Sequence, residues 1–257
     1  FIMKKSFKPY RDELFVSTKA GYDMWPGPYG NWGSRKSLMA SLDQSLVRMG
    51  LDYVDVFYSH RYDPETPLEE TMQALVDIVR QGKALYVGLS RYPADKAEEA
   101  YRYLEARDVH CLLYQGRYNL FDRAPEEEGI LGQARAYGVG FIAFSPLAQG
   151  LLTSRYLQGV PEDSRMAQGR FLKREVLTEA VLEKIKALDR VAAERGQTLA
   201  EMSLAWVLKD ELVTSVIIGA SSVAQLEDNL KALRKVDFSR EELDRIEAIC
   251  HTPDGGQ

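Results

Sequence analysis

The sequence predicts an α/β fold with a parallel sheet and crossover helices. Short apolar runs rich in Val, Ile, Tyr and Phe alternate with amphipathic stretches of helical period along the chain. The run Tyr53–Tyr58 is apolar at most positions, as expected of a strand buried on both faces. Neither a polar linker nor a short tandem repeat interrupts the 257 residues, so we expect one domain over residues 1–257.

Each element has its own signal in the chain. The six apolar runs predict strands at Leu14–Lys19, Tyr53–His60, Leu85–Ser90, Cys111–Tyr118, Phe141–Pro146 and Ser215–Ser221. Helical periodicity predicts helices at Ser34–Met49, Leu68–Gln81, Ala94–Ala106, Glu127–Tyr137, Thr178–Arg195, Leu199–Lys209 and Val223–Leu233. Their ends are marked by Ser34 as an N-cap, by Pro67 in a first turn, and by closing glycines that favour a left-handed conformation, Gly50, Gly82, Gly138 and Gly196.

The number of strands leaves two architectures open. A doubly wound sheet accepts six strands, whereas a closed (β/α)8 barrel, which commonly fills about this length, needs eight. The sequence begins Phe1-Ile2-Met3 and reaches a strand almost at once. If the fold is a barrel, we therefore expect its first two βα units to precede this sequence in a longer protein.

Composition excludes several classes of function. A formal charge of −5 and a pI near 5.4 argue against nucleic-acid and anionic-membrane partners, so local donors must meet any phosphate group. Two cysteines are too few for a disulfide scaffold, and no apolar run is long enough to span a membrane. No ligand spacing typical of a metal site occurs. We expect a cytoplasmic protein that acts on a small molecule; its oligomeric state is left open.

Polar residues follow the apolar runs at their carboxyl ends, where parallel α/β folds have their functional sites. Lys19 is either a lysine leaving the sheet for solvent or a cation that lowers the pKa of a neighbouring acid. His60 ends the next apolar run, at the same level of the sheet as Lys19. This position favours a functional site over a merely structural histidine. The other polar run ends are Ser90-Arg91, Gln115, Ser145-Pro146 and Gly219-Ala220-Ser221.

Three further segments are candidates for ligand contacts. The glycine-rich run 27–33 lacks the dinucleotide fingerprint and is either a pocket wall or a packed surface loop. A long loop after Ser145 carries Arg155, Arg165 and other basic residues, which suits an anion-binding flap or a solvated basic loop. The helix start near Ser221 offers backbone N–H groups to phosphate, and Ser221, Gln225 and Asn229 share one helical face.

Five segments resemble the aldo-keto reductase superfamily, in the family's order. They are Leu-Phe-Val-Ser-Thr-Lys-Ala-Gly (14–21), Tyr-Val-Asp-Val-Phe-Tyr-Ser-His (53–60), Val-Gly-Leu-Ser-Arg-Tyr (87–92), Phe-Ser-Pro-Leu-Ala-Gln-Gly-Leu-Leu-Thr (144–153) and Val-Ile-Ile-Gly-Ala-Ser-Ser (216–222). Residues 21–30 and 39–46 are most similar to the branch of bacterial L-glyceraldehyde 3-phosphate reductases, to which potassium-channel β subunits are related. The resemblance implies a (β/α)8 barrel that binds NADP(H) without a Rossmann fold.

The resemblance also implies roles for individual residues. Of the family's catalytic Asp, Tyr, Lys and His, Lys19 matches the lysine and His60 the histidine. The aspartate and tyrosine belong to the first two βα units, and no tyrosine among Tyr10, Tyr22 and Tyr29 stands in the family tyrosine's place.

The resemblance assigns the cofactor contacts along the rest of the chain. Ser90 and Gln115 would hold the nicotinamide carboxamide, with Arg91 where many members have asparagine, and Phe144 would approach the nicotinamide ring. Ser145, Leu147, Gln149, Gly150 and Leu151 would line the pyrophosphate, and Arg155 and Arg165 would close over the phosphates. Gly219, Ser221, Gln225, Asp228 and Asn229 would hold the adenosine end. Arg165 and the helix start at Ser221 favour NADP(H) over NAD(H).

Three functions follow from this comparison. The first is an NADPH-dependent reductase of small aldehydes such as L-glyceraldehyde 3-phosphate or methylglyoxal, which the loop Trp25–Gly33 favours. The second is a cofactor-binding regulatory subunit of the channel-β type with little turnover. The third, a catalytically inactive assembly subunit, is disfavoured because six strands alone leave exposed sheet edges.

Overall fold

The computed structural model describes residues 3–157 and 176–251. Its strands are β1 Ser17–Ala20, β2 Val54–Ser59, β3 Ala84–Ser90, β4 Cys111–Arg117, β5 Gly140–Phe144 and β6 Ser215–Ile217. Its α-helices are α1 Arg35–Met49, α2 Leu68–Arg80, α3 Ala94–Glu105, α4 Ala124–Glu127, α5 Ile130–Ala136, α6 Glu179–Glu194, α7 Leu199–Val207, α8 Val223–Leu230 and α9 Arg240–Cys250. Short turns of other helix types lie at Met3–Phe7, Lys8–Glu13, Ala148–Gly150, Ser154–Tyr156 and Lys231–Arg234.

The contacts divide the chain into two compact units. The first comprises Phe1–Gly116 and Glu128–Phe141, and the second comprises Arg117–Glu127 and Ile142–Gln257. A division by contacts does not test whether the chain is one domain, so the single domain stays a prediction.

The first unit is built on parallel strands in chain order. β1 pairs with β2, β2 with β3 and β3 with β4, all in parallel. Every residue of β2 is buried, because β1 and β3 pair with its two edges and α1 and α2 contact it. α1 and α2 bury apolar side chains such as Leu42 and Met72, each worth about 1.5–3 kcal/mol of transfer free energy. The predicted parallel α/β fold is confirmed here.

The second unit contains a further parallel pair and most of the later helices. β5 pairs with β6, from Ile142 opposite Ser215 to Phe144 opposite Ile217. α6 buries one apolar face, whereas α7 is buried at most of its positions. Trp206 on α7 lies against the ring of Tyr118 with 5.3 Å between ring centres. Among the residues that the structure describes, no helix is both long and apolar enough to cross a membrane.

The predicted helix ends are largely confirmed. The Ser34 side chain accepts a hydrogen bond from the Ser37 backbone N–H, as an N-cap does. The four closing glycines, Gly50, Gly82, Gly138 and Gly196, have φ values of 67°, 69°, 67° and 70°. Pro67 lies one residue outside its predicted position, because it is the N-cap of α2 and Leu68 is the first helical residue.

Two strands differ from their predicted runs by three or more residues at one end. The first begins at Ser17 and not at Leu14, because the Asp55 carboxylate accepts from Val16 N–H at 2.7 Å and takes the place of a backbone partner. Arg11 closes the same corner by an ion pair with Asp55 at 2.9 Å. The last strand ends at Ile217 and not at Ser221, since β5 offers partners only as far as Phe144.

Two helices also differ from the prediction. The helix predicted at Glu127–Tyr137 begins only at Ile130, because Gly129 adopts φ +74° before it, and a separate short helix, α4, precedes it at Ala124–Glu127. α9 was not predicted, although Ser239 and Glu242 form a complete capping box at its start. The long basic loop after Ser145 contains two short 3₁₀ turns in its described part, and the remainder of that loop lies outside the described residues.

Candidate functional site

Lys19 and Gln115 meet at the carboxyl ends of the first unit's strands. Lys19 lies in β1 and Gln115 in β4, and the Lys19 Nζ donates to Gln115 Oε1 at 2.5 Å. The ammonium also lies 5.7 Å from the ring centre of Tyr58, its register partner on β2. Burial and, secondly, the positive charge of Arg91 lower the pKa of Lys19. The lysine therefore faces a partly buried polar site and not open solvent, and its action on a neighbouring acid stays a prediction.

Tyr58 forms a floor beneath this lysine. Its side chain is almost fully buried, and its ring covers Gly88 on the neighbouring strand. A Cβ built at Gly88 would lie 2.5 Å from the Tyr58 Cδ1 atom and 3.0 Å from the carbonyl oxygen of Leu113. Only glycine leaves the space that this ring occupies. The sequence reasoning missed this requirement, because a glycine inside a strand gives no local signal of which side chain covers it.

His60 follows β2 directly and lies close enough to Lys19 to be affected by its charge. We call the region around Lys19 and His60 at these strand ends the mouth. Its backbone N–H donates to the Ala20 carbonyl at 2.8 Å, and its imidazole contacts the Tyr22 ring edge-on, with 4.6 Å between ring centres. Burial lowers the pKa of His60 to about 4, and the positive charges of Lys19, Arg91 and Arg61 contribute in the same direction. The imidazole is therefore neutral at pH 7.

Ser90 and Arg91 end β3 beside these residues. Ser90 is buried and is the register partner of Gln115. Arg91 adopts a left-handed φ of 56°, which turns the chain out of the strand, and its guanidinium donates to the Tyr22 hydroxyl at 2.7 Å. The first unit thus brings its five predicted site residues to neighbouring strand ends, where Lys19 bonds Gln115, Gln115 pairs with Ser90, and Tyr22 contacts both His60 and Arg91. The contacts of Tyr22 were not predicted.

In the second unit, the segment after β5 is held in an unusual backbone conformation. Ser145, Ala148 and Gln149 have φ values of 53°, 46° and 60°, and Gly150 has 104°. Left-handed non-glycine residues carry strain and cluster at functional sites. The segment is anchored by Asn119, whose Nδ2 donates to the Ser145 carbonyl at 3.0 Å.

A cavity of about 400 Å³ lies beside this segment. It is lined by three residues predicted to contact the pyrophosphate, Ser145, Gln149 and Leu151. Phe144 and Leu147 flank the segment and are partly buried, and Arg155 is exposed in the next 3₁₀ turn. Arg165 lies outside the described residues.

The start of α8 differs from the prediction in one respect. Its N-cap is Ser222, whose side chain accepts from the Gln225 N–H at 3.2 Å. The Ser221 N–H and hydroxyl both donate to Gln225 Oε1, at 2.7 and 3.0 Å. The Gln225 side chain thus occupies the Ser221 N–H in this structure, and a phosphate contact at this helix start stays a prediction.

The same helix nevertheless carries an unsatisfied donor. Asn229 is buried, and its Nδ2 has no hydrogen-bond partner among the described residues. A buried amide without a partner is uncommon and fits a site that a polar ligand completes. Asp228 lies in an exposed ion pair with Lys231 at 2.6 Å, and Gly219 is exposed before the helix. Within the described part of the chain, no cluster of potential metal ligands occurs.

Comparisons with known proteins agree on one family. The model of the aldo/keto reductase family matches residues 1–251. The chain is 53% identical to an L-glyceraldehyde 3-phosphate reductase of Escherichia coli O157:H7, over 99% of this chain and 74% of the relative, and 52% identical to that of strain K12, over the same shares. It is 38% identical to a probable voltage-gated potassium channel subunit beta of Oryza sativa, over 94% of this chain and 75% of the relative.

Proposed function

This chain belongs to the aldo/keto reductase family, and we propose that it serves in the NADPH-dependent reduction of small aldehydes, of the L-glyceraldehyde 3-phosphate or methylglyoxal type, to alcohols. The observation that carries the proposal is that Lys19 and a neutral His60 lie near each other at the carboxyl ends of adjacent parallel strands. The relatives named as reductases support the same chemistry.

The residues present fit a nicotinamide dinucleotide. When bound, that cofactor supplies the hydride that reduces the carbonyl carbon. Ser90 and Gln115 would hold its carboxamide, and Ser145 and Gln149 would line its pyrophosphate beside the cavity. The unsatisfied Nδ2 of Asn229 is a donor suited to the polar atoms of the adenosine end. We propose NADP(H) as the cofactor; the contribution of Arg165 to that preference stays a prediction.

His60 is suited to orienting the aldehyde. A neutral imidazole carries one N–H donor, which can polarise a carbonyl oxygen. Because its pKa lies near 4, His60 is not protonated at pH 7 and cannot act as an imidazolium acid. The proton delivered to the new alkoxide must come from another acid, which the family resemblance identifies as a tyrosine that none of Tyr10, Tyr22 and Tyr29 matches.

Lys19 is suited to assisting such a phenolic acid. Its positive charge would favour the phenolate and so lower the pKa of a neighbouring tyrosine towards the working pH. Gln115 accepts a hydrogen bond from the ammonium and fixes its position without neutralising it. We propose that the parallel strands described here form part of a (β/α)8 barrel, and that the protein acts in the cytoplasm.

Replacement of Lys19 tests the proposal. In the full-length protein, Lys19→Met should lower kcat for aldehyde reduction by about 10²–10⁴-fold, the usual contribution of acid–base assistance, and leave NADPH affinity nearly intact. Lys186→Met, at an exposed lysine on α6 that pairs with Glu183, is the matched control. Preserved turnover in Lys19→Met would remove Lys19 from the mechanism.

The relatives named as channel subunits favour a second candidate, a regulatory protein that binds the cofactor with little turnover. The number of NADPH equivalents oxidised per protein separates the two functions. A reductase oxidises many equivalents of NADPH per protein when aldehyde is in excess. A regulatory subunit of this type would oxidise about one equivalent of bound NADPH and then stop.

A further inference from the structure

Arg61 is held rigidly beside His60 in the first unit. Its Nε donates to the Gly21 carbonyl at 2.8 Å, and its Nη2 donates to Asn31 Oδ1 at 3.0 Å. The guanidinium lies between two aromatic rings, with Cζ 4.1 Å from the ring centre of Tyr22 and 3.5 Å from that of Trp32. A guanidinium stacked in this way presents its remaining N–H groups in a fixed plane.

No carboxylate neutralises this guanidinium. Among the described residues, Arg61 forms no ion pair, and two of its five N–H donors have protein acceptors. The nearest acid along the chain, Asp63, is occupied in its own turn, where it accepts from the backbone of Gly33 and Glu65 and from Thr66. Burial raises the pKa of Asp63, but these hydrogen bonds outweigh it and lower the pKa overall.

The surroundings of His60 are consequently positive. Lys19, Arg61 and Arg91 all act on the imidazole, and the described structure places no carboxylate among the groups that shift its pKa. The chain as a whole carries a formal charge of −5, so it attracts an anion only where cations are concentrated locally. A substrate with a negative group would be drawn to this mouth.

The Tyr22 ring contacts both the guanidinium and the imidazole. Its centre lies 4.6 Å from that of the His60 ring, in a T-shaped arrangement, and 4.1 Å from Arg61 Cζ. A ligand whose carbonyl lies at His60 would reach Arg61 only if it carries a second polar group a few bonds away. Guanidinium matches the paired oxygens of a phosphate better than an ammonium does.

We propose that Arg61 binds the phosphate group of a phosphorylated aldehyde whose carbonyl lies at His60, and that Arg61 thereby sets the preference for phosphorylated over unphosphorylated substrates. This assignment rests on the proposed reductase function. It adds the residue that recognises the substrate's anionic end, and Tyr22 and Trp32 are its positioning residues.

The test compares two substrates in the full-length protein. We expect Arg61→Gln to lower the ratio of kcat/KM for L-glyceraldehyde 3-phosphate to kcat/KM for L-glyceraldehyde by about 10- to 100-fold, the usual effect of losing hydrogen bonds to a charged group. Most of the loss should lie in KM for the phosphorylated substrate. Arg61→Lys should restore part of the ratio, because it returns the charge without the planar fork.

Arg107 provides the matched control. It is likewise stacked on a tyrosine, with Cζ 3.4 Å from the Tyr103 ring centre, and it bonds Gln73 Oε1. Arg107→Gln should leave the substrate ratio unchanged. If Arg61→Gln lowers kcat/KM for both aldehydes by the same factor, Arg61 only supports the loop and the assignment is wrong.

Inorganic phosphate gives a readout that does not need turnover. Calorimetric titration should show phosphate binding to the unmodified protein and binding at least about tenfold weaker to Arg61→Gln. Equal binding to both proteins would overturn the assignment even if aldehyde reduction is observed. Arg61-dependent binding in a protein that reduces no aldehyde would instead reject the proposed function and leave the anion site standing.

Discussion

The low pKa of His60 makes the stability of the protein depend on pH in a defined window. A histidine in the unfolded chain titrates near 6.5, whereas His60 in the folded protein titrates at about 4. Between these pH values the unfolded chain binds a proton that the folded chain excludes. The stabilisation linked to neutral His60 is therefore fully present above pH 6.5 and is lost as the pH falls towards 4.

The size of the effect follows from the same shift. One unit of pKa corresponds to about 1.4 kcal/mol, so lowering the pH from 7 to 5 would remove about 2 kcal/mol from a fully buried histidine. His60 is only half-buried, and solvent screens part of its interaction with the surrounding cations. We therefore expect a loss of about 1 kcal/mol over this interval that His60→Gln does not show.

Urea unfolding at pH 7 and pH 5 measures this difference. The free energy of unfolding of the unmodified protein should fall by about 1 kcal/mol more than that of His60→Gln, since carboxylate titration is common to both. His110→Gln, at an exposed histidine of the same unit, should behave like the unmodified protein. Identical pH dependence of the unmodified protein and His60→Gln would refute the assignment of a neutral, partly buried imidazole.

Three further changes test the packing and the cofactor site. Gly88→Ala should destabilise the protein by about 1–3 kcal/mol in urea unfolding, because its Cβ collides with Tyr58. Its control, Gly132→Ala, adds a Cβ in open space on α5 and should stabilise the protein by up to about 1 kcal/mol. Equal effects of the two substitutions would contradict this reasoning. Thr198→Ala removes a capping box from α7 and should lower the free energy of unfolding by about 1 kcal/mol. An unchanged free energy of unfolding would show that the cap does not stabilise the protein. Asn229→Ala should weaken NADPH binding about tenfold by fluorescence titration, and unaltered affinity would exclude this amide from the site.

Local chemistry explains which elements the sequence predicts well. A glycine after an amphipathic stretch needs only its own backbone freedom to close a helix, and Gly50 and Gly196 do so as predicted. The start of β1 was misplaced because it depends on the Asp55 side chain, which is distant in sequence and accepts from the Val16 N–H. The α9 signal was local, in the Ser239–Glu242 box, and was overlooked.

The site divides in the same way. Lys19 and His60 are predicted from their positions after apolar runs, since parallel strands place their carboxyl ends together. Arg61 gave no such signal, because its proposed role depends on rings from Tyr22 and Trp32 in a loop that precedes it by about 30 to 40 residues. Contacts between loops are fixed by the complete fold and not by periodicity, so a residue held by such contacts is harder to predict than one at a strand end.

The electrostatics of the first unit have one requirement, which is that Lys19 keep its charge while His60 loses its own. A carboxylate at position 115 would neutralise the ammonium and raise the pKa of His60, whereas the amide of Gln115 accepts the same hydrogen bond without doing either. The positive charges of Lys19, Arg61 and Arg91 then keep the imidazole neutral. Under the proposed function, an anionic aldehyde would be attracted by the same charges that prevent His60 from acting as its proton donor, so the proposed catalytic and substrate-binding roles depend on the same residues.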